Sequence, residues 1–467
     1  MPDRAYDPLT IAVIGAGVGG LAAACFLAES GHRVTLLEAF AEPKPLGSGL
    51  LLQPIGLAAL SVLGLDRPVI AQGSRISNLY GRAVGGKLAL LNVRYDGLAP
   101  HLFGIGTTRA ALFETLFQAA HDYGVQIETV APVLTLEGLD LNGPGVTVIT
   151  RRQRFGPFDL VIDASGTNSR LRPQFGKILR DRPYPFGALW GLVDLTGTGF
   201  AADRLDQRYA RARHMIGVLP VGPRADGTGL RGALFWSLPT RDFNTWRETP
   251  LAVWRDAVRR LWPETDPLLA QITDHDQLAR AAYSDVVLAR PDAGRLLFIG
   301  DAAHCTSPQL GQGANLALLD ALVLSRVLAE GSHRLEQALT RYRKARQGHQ
   351  RFYQWASRAL TPFFQSDSRL LPWLRYPLCA LPCWFPLTQW IGAQVLAGVK
   401  TGIFSRIDPA GWAPAYGLSA PGDARESGFR DGGVALTFAS VLADGGDAGG
   451  GDSSSGDGGG DGGGGGD

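Results

Sequence analysis

The sequence predicts an α/β fold in which a Rossmann-like dinucleotide-binding domain is interrupted by a β-rich domain and followed by a helical C-terminal region. Three observations support this. A buried-type apolar run, Thr10–Ile14, leads through a glycine-rich turn into an Ala/Leu-rich segment, as in the strand–turn–helix units of parallel sheets. Strand-like segments separated by Gly, Pro and Asp turns fill residues 180–283. A Trp- and Pro-rich apolar region follows Arg351.

The composition is that of a soluble globular enzyme. The chain has 467 residues, 45% of them hydrophobic and 19% charged, with a formal net charge of +2. Six aspartates and no basic residue lie in 444–467, so residues 1–443 carry a charge of about +8, too diffuse to indicate nucleic acid. The Gly/Asp/Ser composition from about 445 predicts disorder. The four cysteines form no CxxC pair and no signal segment is evident, which predicts a cytoplasmic protein.

The N-terminal turn has GxGxxG spacing at Gly15, Gly17 and Gly20. One glycine makes the tight turn, one lets the backbone approach a pyrophosphate, and one lets the helix pack on the strand. The helix N-terminus then directs free N–H groups toward the phosphates. Glu38 ends the second predicted strand, at roughly the distance along the chain expected for an acid that binds a ribose. We interpret this unit as a dinucleotide site; the alternative is a glycine-rich turn without a ligand.

A second polar element follows a buried strand within residues 295–321. Gly300 and Asp301 directly follow this strand. After a loop, the segment 311–313 precedes a predicted helix that begins at Ala314 and Asn315. A carboxylate at a strand end can bind a sugar-alcohol hydroxyl. A glycine-rich helix start can donate N–H groups to a carbonyl oxygen that carries negative charge.

With this element the chain resembles the class A FAD-dependent monooxygenases of the p-hydroxybenzoate hydroxylase and ubiquinone-biosynthesis hydroxylase type. The resemblance covers most of 8–175 and 280–330, with weaker similarity at the C-terminus. It implies FAD as the cofactor, and hence a Rossmann-like FAD-binding domain. Arg109, at the head of a predicted helix, corresponds to a family arginine near the FAD phosphates or ribityl chain. Asp301 corresponds to the residue that binds the ribityl chain. The segment at the pyrimidine edge of the flavin corresponds to Gly311, Gln312, Gly313, Ala314 and Asn315.

The family's internal motif ADGxxSxxR is matched at Ala164, Gly166, Ser169 and Arg172. Ser165 departs from it, because the family usually has aspartate there. The motif has been linked to both FAD and NAD(P)H, so the departure leaves open how the nicotinamide donor is handled.

The resemblance and the changes in sequence pattern along the chain together predict seven segments. These are the FAD-binding domain in three parts (1–82, 101–179 and 283–350), a short substrate-domain segment (83–100), a β-rich substrate domain (180–282), an apolar helical C-terminal region (351–420), and a linker with a Gly/Asp-rich tail (421–467).

Candidate substrate residues come from the β-rich segments and from the loop beside the flavin. Trp190, Met215, Phe235 and Trp236 are predicted to line the cavity, although core packing explains them equally well. Gln53 is predicted either to face this cavity or to bond to the backbone within its loop.

The resemblance implies an NAD(P)H-driven monooxygenase that hydroxylates or epoxidises a small aromatic, polyketide or quinone-like substrate with O₂ through a flavin C4a-hydroperoxide. The cofactor carries that chemistry, so no metal site is expected and no catalytic side chain is predicted. His304 is interpreted as a structural residue. One alternative is an FAD-dependent reductase or dehydrogenase of the prenyl-reductase type. Another is a non-redox flavin-binding or membrane-associated protein.

The C-terminal region raises the question of a membrane. Residues 376–399 form a run of 24 uncharged residues, but three prolines and two glutamines interrupt it. A spanning helix is therefore not expected. Short helices packed on the flavin domain are the preferred prediction, and peripheral membrane contact through 371–404 is the alternative.

Overall fold

The computed structural model describes residues 7–42, 49–330, 334–380, 383 and 385–409. The predicted tail lies outside the described residues. The strands are β1 (Thr10–Ile14), β2 (Arg33–Leu37), β3 (Gly49–Leu52), β4 (Ser74–Ile76), β5 (Asn78–Ala83), β6 (Ala89–Arg94), β7 (Gly104–Thr108), β8 (Gln126–Glu128), β9 (Val133–Glu137), β10 (Val146–Thr150), β11 (Arg154–Phe158), β12 (Leu160–Asp163), β13 (Ile178–Asp194), β14 (Arg204–Ala210), β15 (His214–Pro223), β16 (Leu230–Pro239), β17 (Ala279–Leu288), β18 (Asp292–Ala293) and β19 (Leu296–Phe298).

Helices lie between these strands and make up most of the described residues after Gln312. The helices are α1 (Val18–Glu29), α2 (Pro54–Val62), α3 (Asp66–Gln72), α4 (Arg109–Asp122), α5 (Arg172–Phe175), α6 (Phe243–Glu248), α7 (Leu251–Leu261), α8 (Asp266–Leu269), α9 (Asp301–His304), α10 (Gly313–Ala329), α11 (Leu335–Phe364), α12 (Leu371–Arg375) and α13 (Pro386–Ala397). Helix α11 continues through the predicted boundary at 350, because its amphipathic pattern is uninterrupted there.

A six-stranded sheet in the order β18-β19-β12-β1-β2-β8 forms the dinucleotide-type domain. The strands from β19 to β8 are parallel. Their carboxyl ends therefore meet at one edge, which brings together the residues that follow β1, β2, β12 and β19. This is the edge at which open α/β sheets bind ligands. Two small antiparallel sheets, β11-β10-β9 and β3-β7-β4, are formed by segments that lie between the parallel strands in the sequence.

A seven-stranded sheet in the order β17-β13-β16-β15-β14-β5-β6 forms the second domain. Its strands are antiparallel except for the β14–β5 pair. The sheet includes residues from Asn78 and extends to Leu288, so it begins before the predicted boundary at 83 and ends after the one at 282. One face joins the core of the dinucleotide-type domain, and helices α6 to α8 cover the other face through Trp246, Trp254 and Trp262.

The glycine-rich turn after β1 depends on two close backbone approaches. Gly15 has φ of +97° and donates its N–H to the Leu37 carbonyl at 2.8 Å. A Cβ on Gly20 would lie 1.8 Å from the Gly15 carbonyl oxygen, so only glycine lets α1 pack this closely. Gly17 differs, because a Cβ there would meet no atom within 4 Å. The turn is thus closed on the strand side and open above Gly17.

A buried carboxylate, Asp320 on α10, joins four parts of the chain. Its Oδ2 accepts the Gly300 N–H at 3.0 Å and the His304 Nε2–H at 2.5 Å. Its Oδ1 accepts from Arg346 Nε at 2.8 Å and from Gln350 Nε2 at 2.9 Å. Although burial alone would raise it, His304 and Arg346 hold the pKa of Asp320 well below its usual range. The strand end at Gly300 is thereby fixed to α10 and α11.

Arg346 extends this network to the C-terminal region. Its Nη1 donates to His349 Nδ1 at 2.7 Å, and His349 Nε2–H donates to the Gly398 carbonyl at 2.8 Å. This arrangement requires a neutral imidazole, because a protonated Nδ1 would direct its hydrogen at the guanidinium. Burial and the Arg346 charge accordingly lower the pKa of His349 to about 3.

The Gly20 contact predicts a stability difference between two neighbouring substitutions. Gly20→Ala is expected to lower the free energy of unfolding, measured by urea titration, by about 1–3 kcal/mol, because the methyl group must displace backbone. Gly17→Ala is the matched control and is expected to change it by less than about 1 kcal/mol, since that position is open. Equal losses in the two variants would contradict the packing argument.

The neutral His349 predicts a pH dependence of stability. An imidazole with a folded-state pKa of about 3 stabilises the fold fully above its unfolded pKa, near 6.5, and progressively less as the pH falls. From pH 7 to pH 5 this group alone should lower the free energy of unfolding by about 2 kcal/mol. His349→Gln should flatten the urea-derived stability curve by that amount, and the exposed His121→Gln should not. An unchanged slope in His349→Gln would refute the assignment.

Candidate active site

The predicted dinucleotide residues lie together at the carboxyl edge of the parallel sheet. Glu38 directly follows β2, is buried, and accepts the Ala16 N–H through Oε2 at 2.7 Å and the Phe40 N–H through Oε1 at 3.0 Å. Each carboxylate oxygen keeps a second acceptor site, so Glu38 can still bind hydroxyl groups. The helix α1 begins with Gly17 as its N-cap and no capping side chain, which leaves its first N–H groups directed at the open space above the turn.

Asp301 and the start of α10 form the second wall of this site. Gly300 has φ of +56°, and Asp301 then begins α9 with an exposed side chain. A Cβ on Gly313 would lie 3.7 Å from Asp301 Oδ1, so the carboxylate lies beside the first turn of α10. No side chain caps the α10 N-terminus. The exposed acid and the uncapped helix start thus lie next to each other.

The side chains of residues 311–315 (GQGAN) form hydrogen bonds within the protein. Gln312 is buried and donates from Nε2 to the Leu396 carbonyl on α13 at 2.8 Å. Asn315 accepts the Gln53 N–H at 2.9 Å and donates to the Gly311 carbonyl at 2.8 Å. Ala314 presents only a methyl group. Any contact of this segment with a cofactor therefore comes from its backbone N–H groups, and its side chains hold the loop in place.

Gln53 is fully buried at the N-cap of α2. Its Oε1 accepts from the Tyr95 hydroxyl, and its Nε2 lies 3.5 Å from the Leu310 carbonyl. Gly311 lies against the same amide. Of the two interpretations of Gln53, these contacts favour the one in which the amide bonds within the protein rather than to a substrate.

Arg109 begins α4, after Thr108 caps that helix through its hydroxyl. The guanidinium is exposed and lies near Tyr283 on the second sheet. Burial raises the pKa of Tyr283, while the Trp190 hydrogen bond and the Arg109 charge oppose that rise. Arg109 thus lies where the two domains meet.

Three of the predicted substrate residues share the inner face of the seven-stranded sheet. Phe235 on β16 is the register partner of Trp190 on β13 and of Gly217 on β15, and the Phe235 and Trp190 ring centroids are 4.7 Å apart. Met215 lies two residues from Gly217 and is also on this face. Trp190 donates from Nε1 to the Tyr283 hydroxyl at 3.2 Å. These residues give the face aromatic rings, a thioether and the Tyr283 phenol.

The prediction for Trp236 is wrong. Adjacent residues of a strand point to opposite faces, and Phe235 occupies the inner one. Trp236 instead packs on Trp254, with ring centroids 6.4 Å apart, under the helices that cover the outer face.

Sequence reasoning missed several residues of this inner face. Tyr209 on β14 donates to Gln207 Oε1 at 2.6 Å and is the register partner of Met215. Asp320 and Arg346 were missed as well; an aspartate in the middle of the apolar helix 313–329 was the signal for Asp320.

Ser165 has a defined role beside the buried Asp163. The Ser165 N–H donates to Asp163 Oδ1 at 2.9 Å, and its hydroxyl donates to the same oxygen at 2.5 Å. Ser169 donates to Asp163 Oδ2. An aspartate at 165 would place a second carboxylate against Asp163, which is 0% exposed. Serine at 165, where the family usually has aspartate, is therefore compatible with the buried carboxylate of Asp163.

The geometry fits FAD. The space above Gly17 is open for a pyrophosphate, Glu38 lies at a strand end beside the same turn, and Asp301 and the uncapped α10 lie at the same sheet edge. Within the described ranges no group of three His, Cys, Asp or Glu side chains is arranged to hold a metal ion.

Comparison with known proteins agrees with this fit. Residues 9–354 match the family described as "FAD binding domain". The FAD-dependent urate hydroxylase of Klebsiella pneumoniae is 27% identical over 68% of this chain and 81% of its own length. The 6-hydroxynicotinate 3-monooxygenase of Pseudomonas fluorescens is 26% identical over 71% of this chain and 86% of its own. The solved structure of Klebsiella pneumoniae HpxO with FAD and uric acid shares the fold, with a TM-score of 0.71 at 23% identity over 84% of this chain and 97% of that one.

The matched region runs from the glycine-rich turn through Asp301, Asn315 and Arg346, and so includes both walls of the site. The chain belongs to the FAD-binding domain family, and its predicted membership of the class A FAD-dependent monooxygenases is confirmed.

Proposed function

We propose that this protein uses NAD(P)H and O₂ to hydroxylate or epoxidise a small aromatic, polyketide or quinone-like substrate. One observation carries the proposal: an aromatic sheet face with Trp190, Phe235 and Met215 accompanies an FAD-type site in one chain. The urate and 6-hydroxynicotinate named for two relatives are planar rings, which such a face suits.

Each part of the site has a proposed task toward FAD. Gly15, Gly17 and Gly20 shape the turn, the open space at Gly17 and the uncapped α1 N-terminus bind the pyrophosphate, and Glu38 binds the adenosine ribose. Asp301 binds the ribityl chain, and Arg109 lies near the phosphates or the ribityl chain. The N–H groups at Gly313 and Ala314 stabilise negative charge at the pyrimidine edge. The bound flavin supplies the redox chemistry, and the protein supplies orientation and exclusion of water.

The sheet face supplies substrate positioning. Trp190 is held by Tyr283 through its indole N–H and by Phe235 through ring contact, so its plane is fixed. A ring stacked there would be held in one orientation toward the flavin side. Because these groups are apolar or neutral, they also keep water away from the reacting atoms.

Oxygen insertion predicts a labelled product. FAD-loaded protein is incubated with ¹⁸O₂, NADH or NADPH, and each compound of a panel of phenols, hydroxypyridines and quinols. A compound that is a substrate should make nicotinamide oxidation at least tenfold faster than in its absence. The product formed from that compound should contain one ¹⁸O atom by mass spectrometry. Trp190→Ala should raise KM at least fivefold, since it removes the stacking surface, whereas Trp262→Phe on the outer face should not. Substrate reduction without ¹⁸O uptake would instead support the reductase alternative.

We further propose that the C-terminal region contacts a lipid surface. Exposed apolar side chains are concentrated in one part of the described chain, and we call them the C-terminal apolar patch: Leu370, Trp373, Leu374, Leu378, Phe385, Leu387, Trp390, Ile391, Ile403 and Phe404. Trp373 is 76% exposed and Phe404 is 97% exposed. Arg369 and Arg406 are exposed beside them, and the Arg406 guanidinium lies 4.7 Å from the Trp390 ring centroid. Tryptophan and arginine together suit the headgroup region of a bilayer.

This contact would be peripheral. No helix in the described part of the chain has the length and hydropathy that a membrane crossing requires. The preferred prediction was of short helices packed on the flavin domain. Helix α13 packs on β6 of the seven-stranded sheet with Ala393 and Leu396 buried, and its Leu396 carbonyl accepts a hydrogen bond from Gln312 at the start of α10.

Lipid contact predicts flotation of the protein with vesicles. In a density gradient with vesicles of phosphatidylethanolamine and phosphatidylglycerol, at least half of the protein should float. The Trp373→Ser/Phe404→Ser double variant should float at least fivefold less. Leu179→Ser is the control, because Leu179 is 67% exposed in a different part of the fold. Failure of the wild type to float, or dimerisation without flotation, would refute the proposal.

A further inference from the structure

A buried carboxylate, Asp285 on β17, holds two arginines from different elements. Asp285 is 2% exposed; its Oδ2 forms an ion pair with Arg180 Nε on β13, and its Oδ1 lies 3.2 Å from Arg358 Nε on α11. Because an uncompensated buried charge is costly, this carboxylate keeps both guanidinium groups beside it. Both contacts are made through Nε, and the arginine side chains are 43% and 36% exposed. Their terminal Nη groups therefore remain available to a ligand from solvent.

A further arginine of β13 adds positive charge at this carboxylate. Arg182 is exposed and is the register partner of Asp285, so the two side chains lie on the same face of the sheet. The acid next to it along the strand, Asp181, points to the opposite face and pairs with Arg172 at 2.9 Å. One carboxylate thus faces three arginines.

Helix α11 presents a tryptophan between two arginines beside the same carboxylate. Trp355 is 60% exposed and has no exposed large apolar neighbour on this helix. It lies three residues before Arg358 and four residues after the exposed Arg351, and residues at these spacings are neighbours on a helix surface. An exposed indole can stack on a nucleotide base, and a guanidinium matches the oxygens of a phosphate. The combination suits a nucleotide.

This group lies beside the proposed flavin site. Tyr283 precedes Asp285 by two residues on β17, so the two side chains share one sheet face about 7 Å apart. The Tyr283 hydroxyl accepts a hydrogen bond from Trp190 at 3.2 Å, and Arg109 lies near it. Strand β17 also packs on α9, which begins with Asp301. The arginines and the flavin-side residues are therefore joined through one strand.

We propose that this group binds NADPH, with its indole stacked on the adenine and its arginines on the 2′-phosphate. The residues of this nucleotide site are Arg180, Arg182, Arg351, Trp355 and Arg358. The inference rests on the proposed function, because it specifies which nicotinamide donor that reaction uses and where the donor binds. The 2′-phosphate distinguishes NADPH from NADH, and four arginines with one carboxylate favour the more negative nucleotide. A lipid surface fits less well, because the tryptophan stands alone among polar neighbours on its helix.

The test measures binding by isothermal titration calorimetry, with FAD-loaded protein and oxidised nucleotides so that no turnover occurs. NADP⁺ should bind at least tenfold more tightly than NAD⁺, and 2′,5′-ADP at least tenfold more tightly than 5′-AMP. Arg351→Gln and Arg358→Gln should each weaken NADP⁺ at least fivefold and change NAD⁺ by less than threefold. Trp355→Leu should weaken both nucleotides alike, three- to tenfold, because both carry adenine. The control is Arg152→Gln, an exposed arginine between β10 and β11, which should change neither.

Equal affinity of the wild type for NADP⁺ and NAD⁺ would overturn the proposal, and so would equal weakening of both by the arginine variants. FAD content is measured in each variant. If Arg358→Gln does not retain FAD because Asp285 loses a partner, Arg351→Gln and Trp355→Leu decide, since both of those residues are exposed and outside the ion pairs. Weaker vesicle flotation of Trp355→Leu with unchanged nucleotide affinity would assign this face to a lipid surface and overturn the site.

The site and the proposed oxygenation can fail separately. A product that contains ¹⁸O but is formed only with NADH would leave the oxygenation standing and overturn this site. NADP⁺ binding that depends on Arg351 and Trp355, without ¹⁸O in any product, would leave the site standing and count against the oxygenation.

Discussion

The rest of the site depends on the hydrogen bonds that the Asp320 carboxylate accepts. It is fully buried on α10 and accepts hydrogen bonds from Gly300, His304, Arg346 and Gln350. Breaking such a pair by removing one partner leaves an uncompensated buried charge, at a cost of about 3–5 kcal/mol. The strand end that presents Asp301 and the helix start at Gly313 are therefore set relative to each other by one residue. Through Arg346 and His349 the same network reaches Gly398 after α13.

The flavin site is built from backbone groups that side chains hold in place. Asn315 fixes the β3–α2 loop to the start of α10, and Gln312 fixes that start to α13. The exposed polar groups that remain are the ones a cofactor can contact: Asp301, Arg109 and the N–H groups of two helix starts. Because the donors are part of rigid elements, they need little rearrangement to meet negative charge.

The two faces of the seven-stranded sheet have separate roles. Tryptophans on the outer face and on helices α6 to α8 form a core of their own, which stabilises the insertion without contributing to the site. The inner face carries Phe235, Met215 and Tyr209 toward the FAD-binding domain, and Arg375 from α12 packs on the Tyr209 ring.

The sequence by itself determined the dinucleotide-type domain, and the cofactor class followed from the family that its motifs resemble. The strand at 10–14, the helix after Gly17, Glu38 and the Asp301–Asn315 element are local patterns: their spacing along the chain follows from the turn and helix geometry that they form. The insertion was recognisable as β-rich for the same reason, since alternation and turn residues are local.

Tertiary structure alone decided which side chains meet. Gln53 contacts Tyr95 and Leu310 instead of an open cavity, and Trp236 faces away from Phe235 because the strand register assigns each to a face. Asp320 and Arg346 are paired only once α10 and α11 pack, and Arg375 meets Tyr209 across more than 160 residues of chain. Long-range contacts of this kind leave no periodic signal in the sequence, because each depends on how separate elements pack and not on the residues beside it.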